Sequence, residues 1–193
     1  MDKTEVIEAI SKHITFLSAA CQAELVSVSS IVSVPKNTIL VKEGQFSNKA
    51  FFIVQGGARS YYLKDGKDVT DWFAFENEFI AAIKSYFQVV PSPNYLETLE
   101  HTVLLVLSKE NSEKVSNSFN EFEKLQRMVV TQTMLKLQER VESIQFQTAE
   151  QKYDYLLSTC PGITQRVPLT HIASYLGITL ETLSRIRKIK SRI

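Results

Sequence analysis

The stretch from Leu169 to Arg187, LTHIASYLGITLETLSRIR, constrains the fold of this 193-residue chain more than any other. Leu169, Ile172, Ala173 and Leu176 recur at helical spacing and share one apolar face. Gly177 follows at once, and only glycine takes the left-handed conformation of a helix C-terminus without steric cost. Ile178 reads as the buried pivot of the turn, and the Thr179 hydroxyl as the cap of a second helix. In that helix Leu183 and Ile186 face inward, which leaves Leu180, Glu181, Ser184 and Arg185 outward. An exposed N-terminal face of that kind is what a helix-turn-helix presents to the DNA major groove.

Charge distribution narrows the reading, since most helical hairpins bind nothing. Net charge is only +1, but residues 148–193 hold seven Lys or Arg against three acids. No acid follows Glu181, whereas Arg185, Arg187, Lys188, Lys190 and Arg192 do. A basic run beside a reading helix supplies phosphate contacts, which dominate affinity for nucleic acid. Lys190 and Arg192, nearest the end, read as a solvated tail.

The run from Ile172 to Arg185, IASYLGITLETLSR, resembles the DNA-binding motif of the Crp/Fnr family of bacterial transcription regulators. That motif reads Ile-Ala, Leu-Gly, Thr, then Arg-Glu-Thr-(Val/Leu)-Ser-Arg. Glu181, Thr182, Ser184 and Arg185 fall on it; Leu180 stands where many members carry Arg. Among its branches the sequence is most similar to the one found in Bacteroidetes. The resemblance implies an α+β protein in three parts. Residues 1–118 form a cyclic-nucleotide-binding-like double-stranded β-helix (jelly roll), 119–147 a dimerisation helix and 148–193 a helix-turn-helix domain with little or no wing. It implies double-stranded DNA, a second copy of the chain, RNA polymerase and an unidentified small effector as partners, with Thr179, Leu180, Glu181, Thr182, Ser184, Arg185, Arg187 and Lys188 on the DNA.

The rest of the chain fits this plan. Val6, Ile10, Ile14 and Leu17 make one helical stripe, and residues 22–29 a second short helix. From Ile31 the period changes to short β-branched and aromatic runs: IVSV, TILVKEG, KAFFIVQGG, ARSYYLKDGKDVTDWFA and HTVLLVLS. Asp65-Gly66 between two of them signals a tight hairpin. Many short strands imply a sandwich, jelly roll or barrel. SKENSEKV reads as one short helix, and a long helix follows from about Phe119 to Gln147. Phe122, Leu125 and Val129 open its apolar stripe; Val130, Met134, Leu137, Val141 and Ile144 continue it at 4-3-4-3 spacing, shifted by one residue. A two-helix seam between subunits buries such a stripe. Tyr153, Leu156 and Leu157 pack in the next helix, ended by Cys160-Pro161-Gly162, and ITQRVP reads as a loop.

Members of the family that bind cyclic nucleotides hold the phosphate with an Arg-Ser pair and the sugar with a Gly-Glu pair. The matching stretch is residues 77–100. Ala81-Ala82 stand near the Gly-Glu positions and Pro91-Ser92-Pro93-Asn94 near the Arg-Ser positions. There is no arginine between Arg59 and Arg127, so the usual clamp is absent, and no cofactor is certain. Phe79, Ile83, Phe87 and Tyr95 are candidates to line a remaining pocket, with Lys84 its one cation and Thr131 and Gln132 reaching in from the long helix.

Two other classes fare worse. A jelly-roll enzyme needs several histidines and a carboxylate around a metal, and the strand-forming stretch from Ile31 to Ser108 holds one histidine, His101. A ligand-binding module with impaired DNA binding is the alternative that Leu180 and the missing wing leave open. The N-terminus lacks the basic and apolar regions of a signal peptide, and no apolar run approaches the ~20 residues of a membrane span. Cys21 and Cys160 share no metal-type spacing and read as buried free thiols of a cytoplasmic protein.

Overall fold

The computed structural model describes residues 2–190; Arg192 lies outside them. Two helices lead, α1 (Lys3–His13) and α2 (Ala19–Val28). Five strands follow, β1 (Ser30–Val34), β2 (Ile39–Val41), β3 (Lys49–Gln55), β4 (Ala58–Lys64) and β5 (Lys67–Ala74). Then come β6 (Phe79–Ala81), α3 (Ile83–Gln88), β7 (Tyr95–Thr98) and β8 (Thr102–Ser108). The remainder is helical: α4 (Lys109–Ser118), α5 (Asn120–Phe146), α6 (Ala149–Thr159), α7 (Ile163–Arg166), α8 (Leu169–Leu176) and α9 (Leu180–Lys190). The strands form two four-stranded sheets, ordered β1-β8-β3-β6 and β2-β7-β4-β5. This is the α+β architecture, a β-roll followed by helices, that the sequence implied.

The chain divides into two compact units: residues up to 60 with 73–132, and residues 61–72 with 133 onward. A division at 118 and 147 therefore differs from the structural one. The structural boundary falls inside α5, and the outer part of the β4–β5 hairpin groups with the C-terminal helices.

In the first unit, β3 is buried on both faces. Phe52 pairs in register with Leu105 of β8 and Phe79 of β6. That face meets a cluster of Val6, Ile7, Ile10, Leu17, Cys21, Leu25, Val115, Phe122 and Leu125 from the surrounding helices. The alternate residues Phe51 and Ile53, opposite Val106 and Leu104, lie on the other face, as the two-residue period of a strand demands. Burial pushes the Cys21 thiol up to about 11, helped by the charge of Glu121, so it stays protonated. Three expectations change in detail. Leu17 is buried beyond the end of α1, the ITQRVP segment contains the one-turn helix α7, and Cys160 is only half-buried.

The long helix has two environments. Phe122 and Leu125 are buried and Val129 is half-buried against the helical cluster. From Val130 on, the stripe is open: Val130, Met134, Leu137, Val141 and Ile144 are each between 48% and 57% exposed. The one-residue shift in the stripe marks this change of surroundings. Asp65 and Gly66 both take positive φ (52° and 73°), the conformation a two-residue hairpin turn needs to match the strand twist.

Candidate nucleic-acid interface

Helix α8 buries Ile172, Ala173 and Leu176. Gly177, at φ 66°, closes it with two bonds: its own N–H donates to the Ser174 carbonyl (3.1 Å) and the Ile178 N–H to the Ala173 carbonyl (3.0 Å). Paired bonds of this kind satisfy carbonyls that the helix end would otherwise leave open. Ile178 is half-buried rather than fully enclosed. Thr179 Oγ1 then accepts the Thr182 N–H at 3.1 Å and caps α9. Removing the cap, Thr179→Ala, is expected to cost about 1 kcal/mol; thermal unfolding that leaves the midpoint unchanged would show that the cap contributes nothing.

Leu183 and Ile186 anchor α9 inward. Leu180, Glu181, Ser184, Arg185 and Lys188 are exposed, and at 100° per residue the last four lie within one narrow arc. Thr182 is half-buried, with its hydroxyl 3.1 Å from that of Thr179, and Arg187 is half-buried at the edge of the arc. Glu181 lies in the first turn of the helix. Its own backbone N–H, then the Thr179 hydroxyl, hold its carboxyl below the usual glutamate range. Lys190 turns back to α6, with its ammonium 2.7 Å from Asp154 and 3.3 Å from Glu150.

In the roll, Ser92 and Asn94 come together with Ser60, which the sequence did not single out. Ser92 Oγ donates to the Asn94 carbonyl (2.7 Å) and accepts the Asn94 N–H (3.2 Å); Asn94 Nδ2 donates to Ser60 Oγ (3.1 Å). On the neighbouring strands, Arg59 donates from Nη2 (2.7 Å) and Nε (3.1 Å) to Glu97 Oε2, and the two side chains are 5% and 16% exposed. The only arginine before Arg127 is thus committed to an internal carboxylate. A lone arginine in a β-rich stretch, with an acid in a strand 38 residues on, was the available signal.

Residues 31–118 match the family model described as the cyclic nucleotide-binding domain. A search of curated proteins finds no match. Among solved structures, FixK2 from Bradyrhizobium japonicum superposes with a TM-score of 0.70 at 20% identity, over 83% of this chain and 83% of that one. A CooA mutant from Carboxydothermus hydrogenoformans gives 0.70 at 17% identity, over 100% and 85%. A transcriptional regulator of the Crp/Fnr family from Eubacterium rectale gives 0.69 at 17%, over 91% and 85%. The chain has the Crp/Fnr fold. The Eubacterium rectale structure bears the name of a transcriptional regulator, and a second neighbour, CLP from Xanthomonas campestris, that of a global regulator.

Within this Crp/Fnr fold the expected pocket residues separate. Phe79 packs on Phe52, with ring centroids 4.9 Å apart, against the helical cluster; its face of a three-residue strand was not legible from the sequence. Ile83 and Phe87 are each 54% exposed on α3, and Lys84 is exposed beside them, so none of the three is enclosed. Ala82 is buried at the start of α3, while Ala81, paired with Ala50, and Tyr95 on β7 are half-buried. Thr131 and Gln132 are exposed on α5. Of the ligand residues expected from the sequence, Ser92 and Asn94 are joined to each other by hydrogen bonds. Among the described residues no group of three or more His, Cys, Asp or Glu is placed to hold a metal, and no helix is long and apolar enough to cross a membrane.

Proposed function

We propose that this protein is a DNA-binding transcription regulator, a homodimer whose α9 helices read a near-palindromic site. The observation that carries this reading is the exposed arc of Glu181, Ser184, Arg185 and Lys188 on a helix capped by Thr179 and held from behind by Leu183 and Ile186. The open stripe on α5 supports the dimer, because a contiguous exposed apolar face of this kind marks an interaction surface. RNA polymerase is the further partner that the family resemblance adds. Titration of labelled genomic fragments at several salt concentrations tests the reading. Binding that weakens steeply with salt supports it; no binding at low salt favours a ligand-binding module that has lost DNA binding, with Leu180 in place of the usual arginine as its mark.

The roll, on this reading, senses something other than cyclic AMP, or nothing. A phosphate clamp needs a guanidinium with unspent donors, and Arg59 is paired with Glu97. Each charge-assisted hydrogen bond lost removes roughly 1.5–3 kcal/mol. Calorimetry with cyclic AMP is expected to give millimolar affinity or none. Micromolar affinity would mean that other groups had replaced the clamp.

A further inference from the structure

We infer that Arg140 is a positioning residue that sets the spacing between the two reading helices, and with it the spacing of the half-sites the dimer accepts. The inference rests on the dimeric DNA-binding reading above. Arg140 lies on α5 one residue before Val141, about 100° around the helix from it, and so flanks the open stripe of Leu137, Val141 and Ile144. From there it reaches α8. Its Nη1 donates to the Tyr175 carbonyl at 3.0 Å, and its guanidinium stands 3.9 Å from the centroid of the Tyr175 ring. Hydrogen bond and cation–π contact together make a geometrically specific tie.

The hairpin arm completes the clasp. Arg140 Nη2 approaches the Thr70 carbonyl at 3.5 Å. The Thr70 N–H donates to Ser174 Oγ (3.0 Å), and Ser174 Oγ donates to the Asp68 carbonyl (3.1 Å). One hydroxyl thus sews α8 to the hairpin backbone, and all these groups belong to the second compact unit.

The mechanical consequence follows from how the reading helix is attached. Helices α8 and α9 form one block through Ile172, Ala173, Leu176, Leu183 and Ile186 and the tight turn at Gly177. The block joins α5 covalently through α6, which is itself tied to α5 by the Tyr155 hydroxyl on Glu139 (2.7 Å). A block held on one side can still swivel. Arg140 adds a second tie from α5 to α8 itself, and two separated ties remove that freedom. With α5 as the dimer seam, the seam-to-α8 geometry decides how far apart the two α9 helices lie. One base-pair step is about 3.4 Å along the duplex, so a small swivel changes the accepted spacing.

The test uses the full-length protein and a set of duplexes carrying two copies of its selected half-site, separated by spacers varied one base pair at a time. The wild type is expected to prefer one spacing over its neighbours by about tenfold or more. Arg140→Ala is expected to flatten that preference to about threefold or less, with affinity for a single half-site unchanged. Arg140→Lys, which keeps a cation over the Tyr175 ring, is expected to restore part of it. Ser174→Ala, which removes one hydroxyl, is expected to broaden the profile in the same direction and decides the matter if Arg140→Ala does not fold. A wild-type spacing profile in both alanine variants would overturn the inference, as would an equal loss at every spacing and at the single half-site. If the wild type binds none of the duplexes, the DNA-binding reading itself fails, and this inference with it.

Discussion

Replacing Leu137 or Val141 on α5 with glutamate is expected to turn the dimer into monomers. Both side chains stand about half exposed in the middle of the open stripe, with Met134 before them and Ile144 after. In a parallel two-helix seam each faces its own copy across the two-fold axis. The substitution therefore sets two carboxylates opposite each other and takes both out of water, and an unpaired charge in an apolar seam is strongly unfavourable. The fold of either unit is left intact, because the side chain is solvated in the monomer. Sedimentation is expected to show a dimer for the wild type and a monomer for either variant at micromolar concentration. DNA affinity is expected to fall by about a hundredfold or more, since the second half-site contact ceases to be intramolecular. A wild type that is already monomeric at that concentration would remove the dimer from the account.

Arg185 is expected to carry the largest single share of sequence reading. It is exposed on the outer arc of α9, one turn beyond Glu181, where a guanidinium can offer paired donors to the O6 and N7 of a guanine. Arg185→Ala is expected to cost about 1–3 kcal/mol in each half-site and to relax preference at one base position in each. Lys188, also exposed, is expected to reach phosphate. Lys188→Ala is expected to weaken all sequences alike and to lower the salt slope by about one per protomer. Identical behaviour of the two variants, with specificity untouched, would show that Arg185 is not a reader.

The helix-turn-helix was legible almost to the residue because local chemistry sets its limits. A left-handed glycine ends α8 and a threonine hydroxyl starts α9, and neither depends on distant contacts. The β4–β5 hairpin was legible for the same reason at Asp65-Gly66. What stayed hidden is defined by long-range pairing. Strands β6 and β7 have three and four residues, too few for a period to show which face is buried, and so Phe79 reads as a pocket residue when its partner is Phe52. Helix α3 starts without a side-chain cap and carries Ile83 and Phe87 outward, against the usual pattern. The Arg59–Glu97 pair and the Ser60–Asn94 bond join residues 38 and 34 positions apart. The divided stripe on α5 was visible as a shift of one residue at Val130, but only the packing of Phe122 and Leu125 beneath α1 and α2 gives that shift its meaning.

Selection of bound duplexes from a random library by the purified full-length protein tests the central claim most directly. The account predicts an enriched two-fold motif, with half-sites about 10 bp apart, one helical turn, or a multiple of it. Its conserved positions are expected to shift in preference with Arg185→Ala. Absence of any enriched sequence, or a single half-site without a symmetric mate, would contradict it.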